Sequence, residues 1–349
     1  TNLIVGIIVG AGIFVAAPVV ARGIGSGVGV LALWFVGGLL SFCGAVGYAE
    51  LATTYPEQGG DYVYLTKAYG RWAGFLFGWL QTLVVRPGDI AVMAFVFATY
   101  AENLVGHQWI GKPVLAAAAV AALTAVNVAG VRSGVRTQNV LTVAKVVGVS
   151  LVIVVAVLGP GGEVAPMEEL SPEQPVPLAI ALVLVLFSFG GWNETAFVAA
   201  EVREPRRNIV RAMVLGMAVV TVIYVAVNAS FLRVLGFHGL ASSEAVAAET
   251  VASIFPEAAA SMVSALICLC ALGAVNGLVF AGARIAYALG RDHRLFGTLG
   301  RWSERTGTPV RALILQGSLS MVLILVLGSF IDTVMYTAAA VYLLSLIHI

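Results

Sequence analysis

Apolar residues fill this chain in ten long blocks, each separated from the next by a shorter polar stretch. A helix needs about 20 largely apolar residues to cross the hydrocarbon layer of a bilayer. The blocks at 1–21, 28–52, 71–101, 113–130, 139–159, 177–200, 210–235, 259–290, 311–328 and 333–347 approach or exceed that length and predict ten spans, the last cut short where the chain stops. Two blocks are interrupted. Gly10-Ala11-Gly12 breaks the first and Gly190-Gly191 the sixth, and each glycine costs a helix about 1 kcal/mol relative to alanine. The first and sixth helices are therefore expected to open midway. Paired interruptions at corresponding positions of two halves point to the central binding site of a transporter.

The polar stretches set the expected orientation. With the chain start inside the cell, fifteen Lys and Arg fall in or near inner segments and only Arg22, Lys112 and Arg233 fall outside, with Arg86 left in mid-membrane. An excess of Lys and Arg marks the cytoplasmic side. The outer loop 160–176 carries Glu163, Glu168, Glu169 and Glu173 and no Lys or Arg, and reads as a polar connector. Five spans precede it and five follow, so the second half crosses in the opposite sense. This predicts an all-α polytopic membrane protein with a five-plus-five inverted-repeat core, the repeats lying at about 1–159 and 177–349 of one transporter domain. The inner segment 53–70 holds Tyr62, Tyr64, Lys67 and Tyr69, a composition suited to a short helix at the headgroup layer.

Composition agrees with the pattern. Hydrophobic residues make up 60% and charged residues 11%, against roughly 25% charged in soluble domains. A net charge of +1 argues against a nucleic-acid role. No cleavable leader is evident, so the first span is expected to start insertion. Both ends fall within apolar blocks, which suggests a fragment, and the final residues 345–349 are suspect as native sequence. Cys268 and Cys270 lie two apart on one apolar helix, with Cys43 in another span; neither a disulfide nor a metal site is indicated. His107, His238, His293 and His348 have no partner at ligand spacing. No cofactor is implied. The sequence holds no nucleophile elbow, phosphate loop or H-E-x-x-H, so enzyme readings have no support.

Opening the first helix at Gly10–Gly12 frees backbone amides at the start of its second half, where partial positive charge suits a carboxylate. Opening the sixth between Ser188 and Gly191 frees carbonyls that suit an ammonium. Together they describe an α-amino acid; the alternative is that the glycines serve only close helix packing. Lys145 lies about two turns into the fifth span, where an ammonium is costly enough to imply a role unless it snorkels to the inner surface. Arg86 and Asp89 are three apart on one face of the third span and could pair, and Pro87 between them permits a kink. Glu194 is read first as a cap on the resuming half-helix, whose N-terminus favours an acid. The basic run Arg203, Arg206, Arg207 and Arg211 is explained by topology and attraction to anionic lipid.

Several motifs carry a family resemblance. Gly6-Ile7-Ile8-Val9-Gly10-Ala11-Gly12-Ile13-Phe14, Phe187-Ser188-Phe189-Gly190-Gly191-Trp192-Asn193 and Glu201-Val202-Arg203-Glu204-Pro205-Arg206-Arg207-Asn208 resemble signatures of the amino acid–polyamine–organocation superfamily. Arg86-Pro87, Asn276-Gly277 followed by Arg284, and Thr308-Pro309-Val310 resemble its L-type amino acid transporter branch. The resemblance implies that Ile8, Ala11 and Gly12 hold the substrate carboxylate and that backbone of Phe187, Ser188 and Gly190 holds the amino group, with Phe187 closing over it as an outer gate. The family often has Ser at the position of Ala11, which costs a hydroxyl and leaves the amide. Lys145 stands where sodium-coupled relatives place a sodium ion, and Ala281, Gly282 and Ala283 offer that ion no hydroxyl. Lys145 is then a proton carrier or a permanent cation.

The implied activity is sodium-independent exchange or proton-coupled uptake of an α-amino acid in a prokaryotic plasma membrane. A neutral side chain is favoured because Ile8, Phe187, Phe189 and Met93 bring no counter-ion. A cationic amino acid or polyamine, a channel and a non-transporting amino acid sensor are the alternatives. Two-component members of the branch join a heavy subunit through a cysteine between the third and fourth spans. The corresponding loop, 104–112, has none, so no disulfide-linked partner is expected. Family members commonly have twelve spans, which leaves about two outside this chain.

Overall fold

The computed structural model describes residues 2–105, 111–159 and 176–346. Among these, helices account for all regular structure apart from one isolated bridge between Ser303 and Thr308. Seven helices are long and apolar enough to cross a membrane, and an eighth is formed by a pair bent through 55°. That pair is the expected first span: α1 (Asn2–Ile8) ends before the glycines and α2 (Gly12–Ile24) resumes after them. The next span, α3 (Gly27–Thr54), follows at once. Gly25 terminates α2 at φ 73°, and the Ser26 hydroxyl accepts the Gly29 amide at 3.1 Å to cap α3.

The expected inner interfacial helix is confined to α4 (Asp61–Tyr69), since Pro56 and Gly59-Gly60 keep the chain before it out of helix. The third span consists of α5 (Arg71–Leu80), a π-helical turn at Gln81–Val85, and α6 (Arg86–Val105). Pro87 has no amide hydrogen, and the ladder widens immediately ahead of it; such π turns concentrate at functional positions. Then come α7 (Lys112–Ala129) and α8 (Val131–Leu158), joined by Gly130 alone at φ 146°. The expected inner loop before the fifth span is thus helical, and Arg132 and Arg136 ride on an extension of α8.

The sixth span is broken like the first, into α9 (Leu178–Ser188) and the single turn α10 (Glu194–Phe197). The seventh, α11 (Pro205–Ser242), starts earlier than its apolar block and carries Arg206, Arg207 and Arg211 in its first turns. It bends at Gly236, whose φ of 68° is non-helical. A short helix absent from the sequence reading, α12 (Val246–Ala252), precedes α13 (Ala259–Asp292). Two final helices, α14 (Val310–Leu327) and α15 (Phe330–Leu346), complete the set. With the broken sixth and the 17-residue α15, all ten expected spans have a helical counterpart.

Close approach explains the glycines of α3. A Cβ on Gly37 would meet Val185 of α9 at 2.3 Å, and one on Gly38 would meet Thr221 of α11 at 2.5 Å. Small residues at such contacts let helices pack where lipid supplies no hydrophobic drive. One core cluster joins α1, α2, α3, α9 and α11; a second joins α6, α7 and α14. Buried along most of its length, α13 contributes to both clusters. The polar outer loop read at 160–176 lies outside the described residues except for its last position, as do residues 106–110 of the loop expected to lack a partner cysteine.

Candidate substrate site and its ion pairs

The two breaks meet. A Cβ on Gly12 would lie 3.6 Å from Ser188 Oγ. Gly191, at φ 108°, leaves no room for a side chain, because a Cβ there would sit 2.7 Å from Ile7. Tyr224 of α11 ties the breaks together: its buried hydroxyl is 2.7 Å from the Ile8 carbonyl and 3.0 Å from the Ser188 carbonyl. One proton is shared between the last-turn carbonyls of two half-helices, groups that no intrahelical donor reaches. The ring is fixed edge-on to Trp34 at 5.5 Å and against Phe189 at 5.0 Å.

The residues predicted on the two broken helices lie at this junction, and Met93 does not. Ile8 is buried beside Ser188, and Ala11 and Gly12 lead into α2, which has no side-chain cap. Its first amides therefore have no intrahelical acceptor. Ser188 donates its hydroxyl to the Leu184 carbonyl at 2.8 Å, within its own helix, and the Gly190 amide bonds the Phe187 carbonyl at 2.9 Å. Phe187 is 79% exposed and covers nothing. Met93 packs in the second core cluster, on α6.

Lys145 is fully buried. Its ammonium donates to the carbonyls of Gly6 at 2.6 Å and Val9 at 3.1 Å, at the end of α1. A cation suits the negative end of a helix, and these charge-assisted bonds hold it there rather than at the inner surface. The neighbour that makes room is Gly273 of α13, where a Cβ would lie 2.7 Å from Nζ. A buried amide chain runs beside it, from Asn127 Nδ2 to Asn276 Oδ1 at 2.9 Å and from Asn276 Nδ2 to Gln138 Oε1 at 2.7 Å. It borders a cavity of about 350 Å³ lined by Asn2, Gln138, Asn139 and Phe280.

Beyond the breaks, ion pairs lace the elements together. Arg86 pairs with Glu194 at 2.7 Å rather than with Asp89, donates to Gln81 at 3.1 Å, and lies over the Phe197 ring at 5.0 Å. Glu194 is thereby engaged across the helices, and α10 has no side-chain cap. Arg284 of α13 forks onto Glu201 at 2.9 and 3.1 Å and also donates to the Phe280 carbonyl. Glu57 receives Arg291 at 3.4 Å and Lys67 at 3.7 Å, and the Tyr62 hydroxyl donates to Asp292 at 2.9 Å. Burial pushes the Asp61 carboxyl up to about 6, with Tyr48 and Asn193 facing it and Glu194 close by. The face carrying α4 and α10 is tied by these pairs, while on the other side of the breaks Phe187 is exposed and Lys112 pairs with Glu102 at 3.6 Å.

A profile described as amino acid permease matches residues 1–349, the whole chain. The chain belongs to this family. It is 32% identical over 334 residues to the mouse (Mus musculus) b(0,+)-type amino acid transporter 1, covering 93% of this chain and 68% of that protein. Against the large neutral amino acids transporter small subunit 2 of Oryctolagus cuniculus it is 32% identical over 354 residues, covering 98% of this chain and 66% of the relative. These matches place the permease in the L-type branch of the amino acid–polyamine–organocation superfamily, an integral membrane protein family of amino acid transport.

Sequence reasoning missed Tyr224, Gly273 and Asp61 in this permease, and named Glu201 only as part of a motif, without its partner Arg284. Tyr224 left one usable signal: a hydroxyl inside an apolar span must find a partner there. Gly273 left none, because a glycine in a small-residue helix reads as packing.

Proposed function

We propose that this permease carries a neutral α-amino acid across the plasma membrane of a prokaryote by sodium-independent exchange, through alternating access around the junction of the two broken helices. The observation that carries the sodium independence is Lys145, whose ammonium occupies the carbonyl end of α1. A fixed cation there removes the vacancy that a sodium ion would fill. Amides of Ala11 and Gly12 receive the substrate carboxylate, and backbone of Phe187, Ser188 and Gly190 receives the ammonium, with Tyr224 holding the two halves in register. Phe187 swings over the substrate from its exposed position. The apolar surround of Ile8 and Phe189 favours a neutral side chain.

The chain forms one domain of two inverted five-helix repeats, about 1–159 and 177–349, with its start on the cytoplasmic side, as the basic residues of the inner segments favour. On this reading the face carrying α4 and α10 is the inner gate. One relative is named a small subunit. Here the sequence has cysteine only at positions 43, 268 and 270, and no disulfide to a partner forms through the 104–112 loop.

The test is uptake of a labelled neutral amino acid by liposomes holding the intact protein. Uptake should require unlabelled amino acid inside and be equal in sodium and choline buffers. Stimulation by sodium, or no uptake of any amino acid, overturns the reading.

A further inference from the structure

Four ionisable groups from three elements gather behind the second break, and their charges do not balance. Arg86 and Asp89 come from α6, Glu194 from α10, and Asp61 from the start of α4. The backbone brings the last of these in: the Gly59 amide bonds the Phe197 carbonyl at 3.3 Å, and a Cβ on Gly60 would strike the Phe197 ring at 2.5 Å. Arg86 and Glu194 form a neutral pair at 2.7 Å with both side chains buried. Asp61 and Asp89 flank that pair, each within electrostatic reach of both its members. The remaining neighbours add no positive charge: Tyr48 of α3, Tyr64 of α4, Gln81 of the π turn and Asn193 before α10. Arg284 of α13, the nearest basic residue on that helix, is consumed by Glu201.

Two oxygens in this cluster are buried without a hydrogen-bond partner, Glu194 Oε2 and Asp61 Oδ1. Glu194 itself is 5% exposed. Carboxylate oxygens without donors are costly to bury, and like charges in a dry site do not all ionise. We propose that Asp61, with Asp89 and Glu194 around Arg86, is a proton-binding site built into the inner gate, occupied while that gate is closed. A proton on Asp61 removes one uncompensated charge from the cluster. Burial already pushes the Asp61 carboxyl up to about 6. When α4, α6 and α10 separate, water reaches the carboxyls and the proton passes to it. Closed-gate binding is the tighter, so acid on the inner side holds the gate shut, and raising the pH through the window between 3.8 and about 6 releases it.

The inner-gate role rests on the transport reading, but the proton itself is tested without transport. Infrared pH-difference spectra of the full chain in liposomes should show a carboxylic-acid carbonyl band persisting well above the range of exposed carboxylates and weakened in Asp61→Asn. Absence of that band in the wild type, which needs no variant to fold, overturns the proposal, and so does a band unchanged by both Asp61→Asn and Asp89→Asn. In the same liposomes, internal acidification should slow amino acid uptake by the wild type, and Asp61→Asn, whose amide keeps a donor, should abolish that sensitivity. Equal sensitivity in wild type and variant overturns the linkage to the gate. A band without any uptake would instead remove the transport reading and leave the proton site standing.

Discussion

At the scale of single residues, buried polar groups with named partners decide the chemistry. Tyr224 is the sharpest case. Tyr224→Phe keeps the ring against Trp34 and Phe189 and removes only the hydroxyl shared by Ile8 and Ser188. Leaving buried acceptors without a donor costs about 1–3 kcal/mol. The variant should lower the melting temperature and weaken uptake, whereas a merely space-filling Tyr224 would leave both unchanged. Gly273→Ala acts on the other anchor. Its methyl would sit 2.7 Å from Lys145 Nζ and displace the ammonium from the Gly6 and Val9 carbonyls. Overpacking of this kind costs about 1–3 kcal/mol, and uptake should fall with stability; an unaltered melting curve would show that Lys145 has slack.

The pH dependence also belongs to this scale. Asp61 is raised from its ordinary 3.8 to about 6, so the folded state binds its proton more tightly than the unfolded chain does. Its contribution to stability is full below the unfolded value and is lost as pH rises through about 6. The Asp61→Asn variant should flatten the wild-type fall in melting temperature across that window.

At the scale of elements, the broken helices are positioned by what crosses between them. Arg284 joins α13 to the chain after α10 through a two-pronged bond to Glu201, with the guanidinium 3.9 Å from the centre of the Phe280 ring. Removing one partner of a buried pair leaves the other charge uncompensated, at about 3–5 kcal/mol for full burial; Glu201 is 22% exposed on its side chain, which reduces the figure. Glu201→Gln should therefore shift the population toward opening of the face that carries α4 and α10, the inner face on the proposed reading. Labelling of single cysteines introduced on α10 by a membrane-impermeant thiol reagent from the inner side would rise if so, and an unchanged labelling rate would show that Arg284 is only a packing element. The π turn before Arg86 belongs here too: Pro87 offsets the ladder and aims the guanidinium at α10 rather than along its own helix toward Asp89.

At the scale of the whole molecule, among the described residues, the face carrying α4 and α10 holds the ion pairs of Arg86, Arg284 and Arg291, while the opposite end holds Lys112 with Glu102 at 3.6 Å. On the proposed reading, alternating access would undo the Arg86, Arg284 and Arg291 ties while Phe187 closes.

Helix number and the two interruptions were legible in the sequence because both rest on local physics. A bilayer demands about 20 apolar residues per helix, and glycine weakens a helix wherever it stands. The Lys145 anomaly was legible for the same reason, since a charge within an apolar block is costly whatever surrounds it. Helix ends were less so: α8 and α11 begin within basic stretches that read as loops, because arginine tolerates helix and loop alike. Partner choice could not be read at all. Arg86 and Asp89 share a helix face, yet the guanidinium turns to Glu194, more than a hundred positions away. Tyr224, Gly273, Asp61 and Glu201 acquire roles only through neighbours from other helices. Sequence by itself determined the spans, the breaks and the buried charges, each a property of one segment in its solvent; tertiary structure alone decided which charges meet, because packing brings together side chains that no spacing along the chain relates.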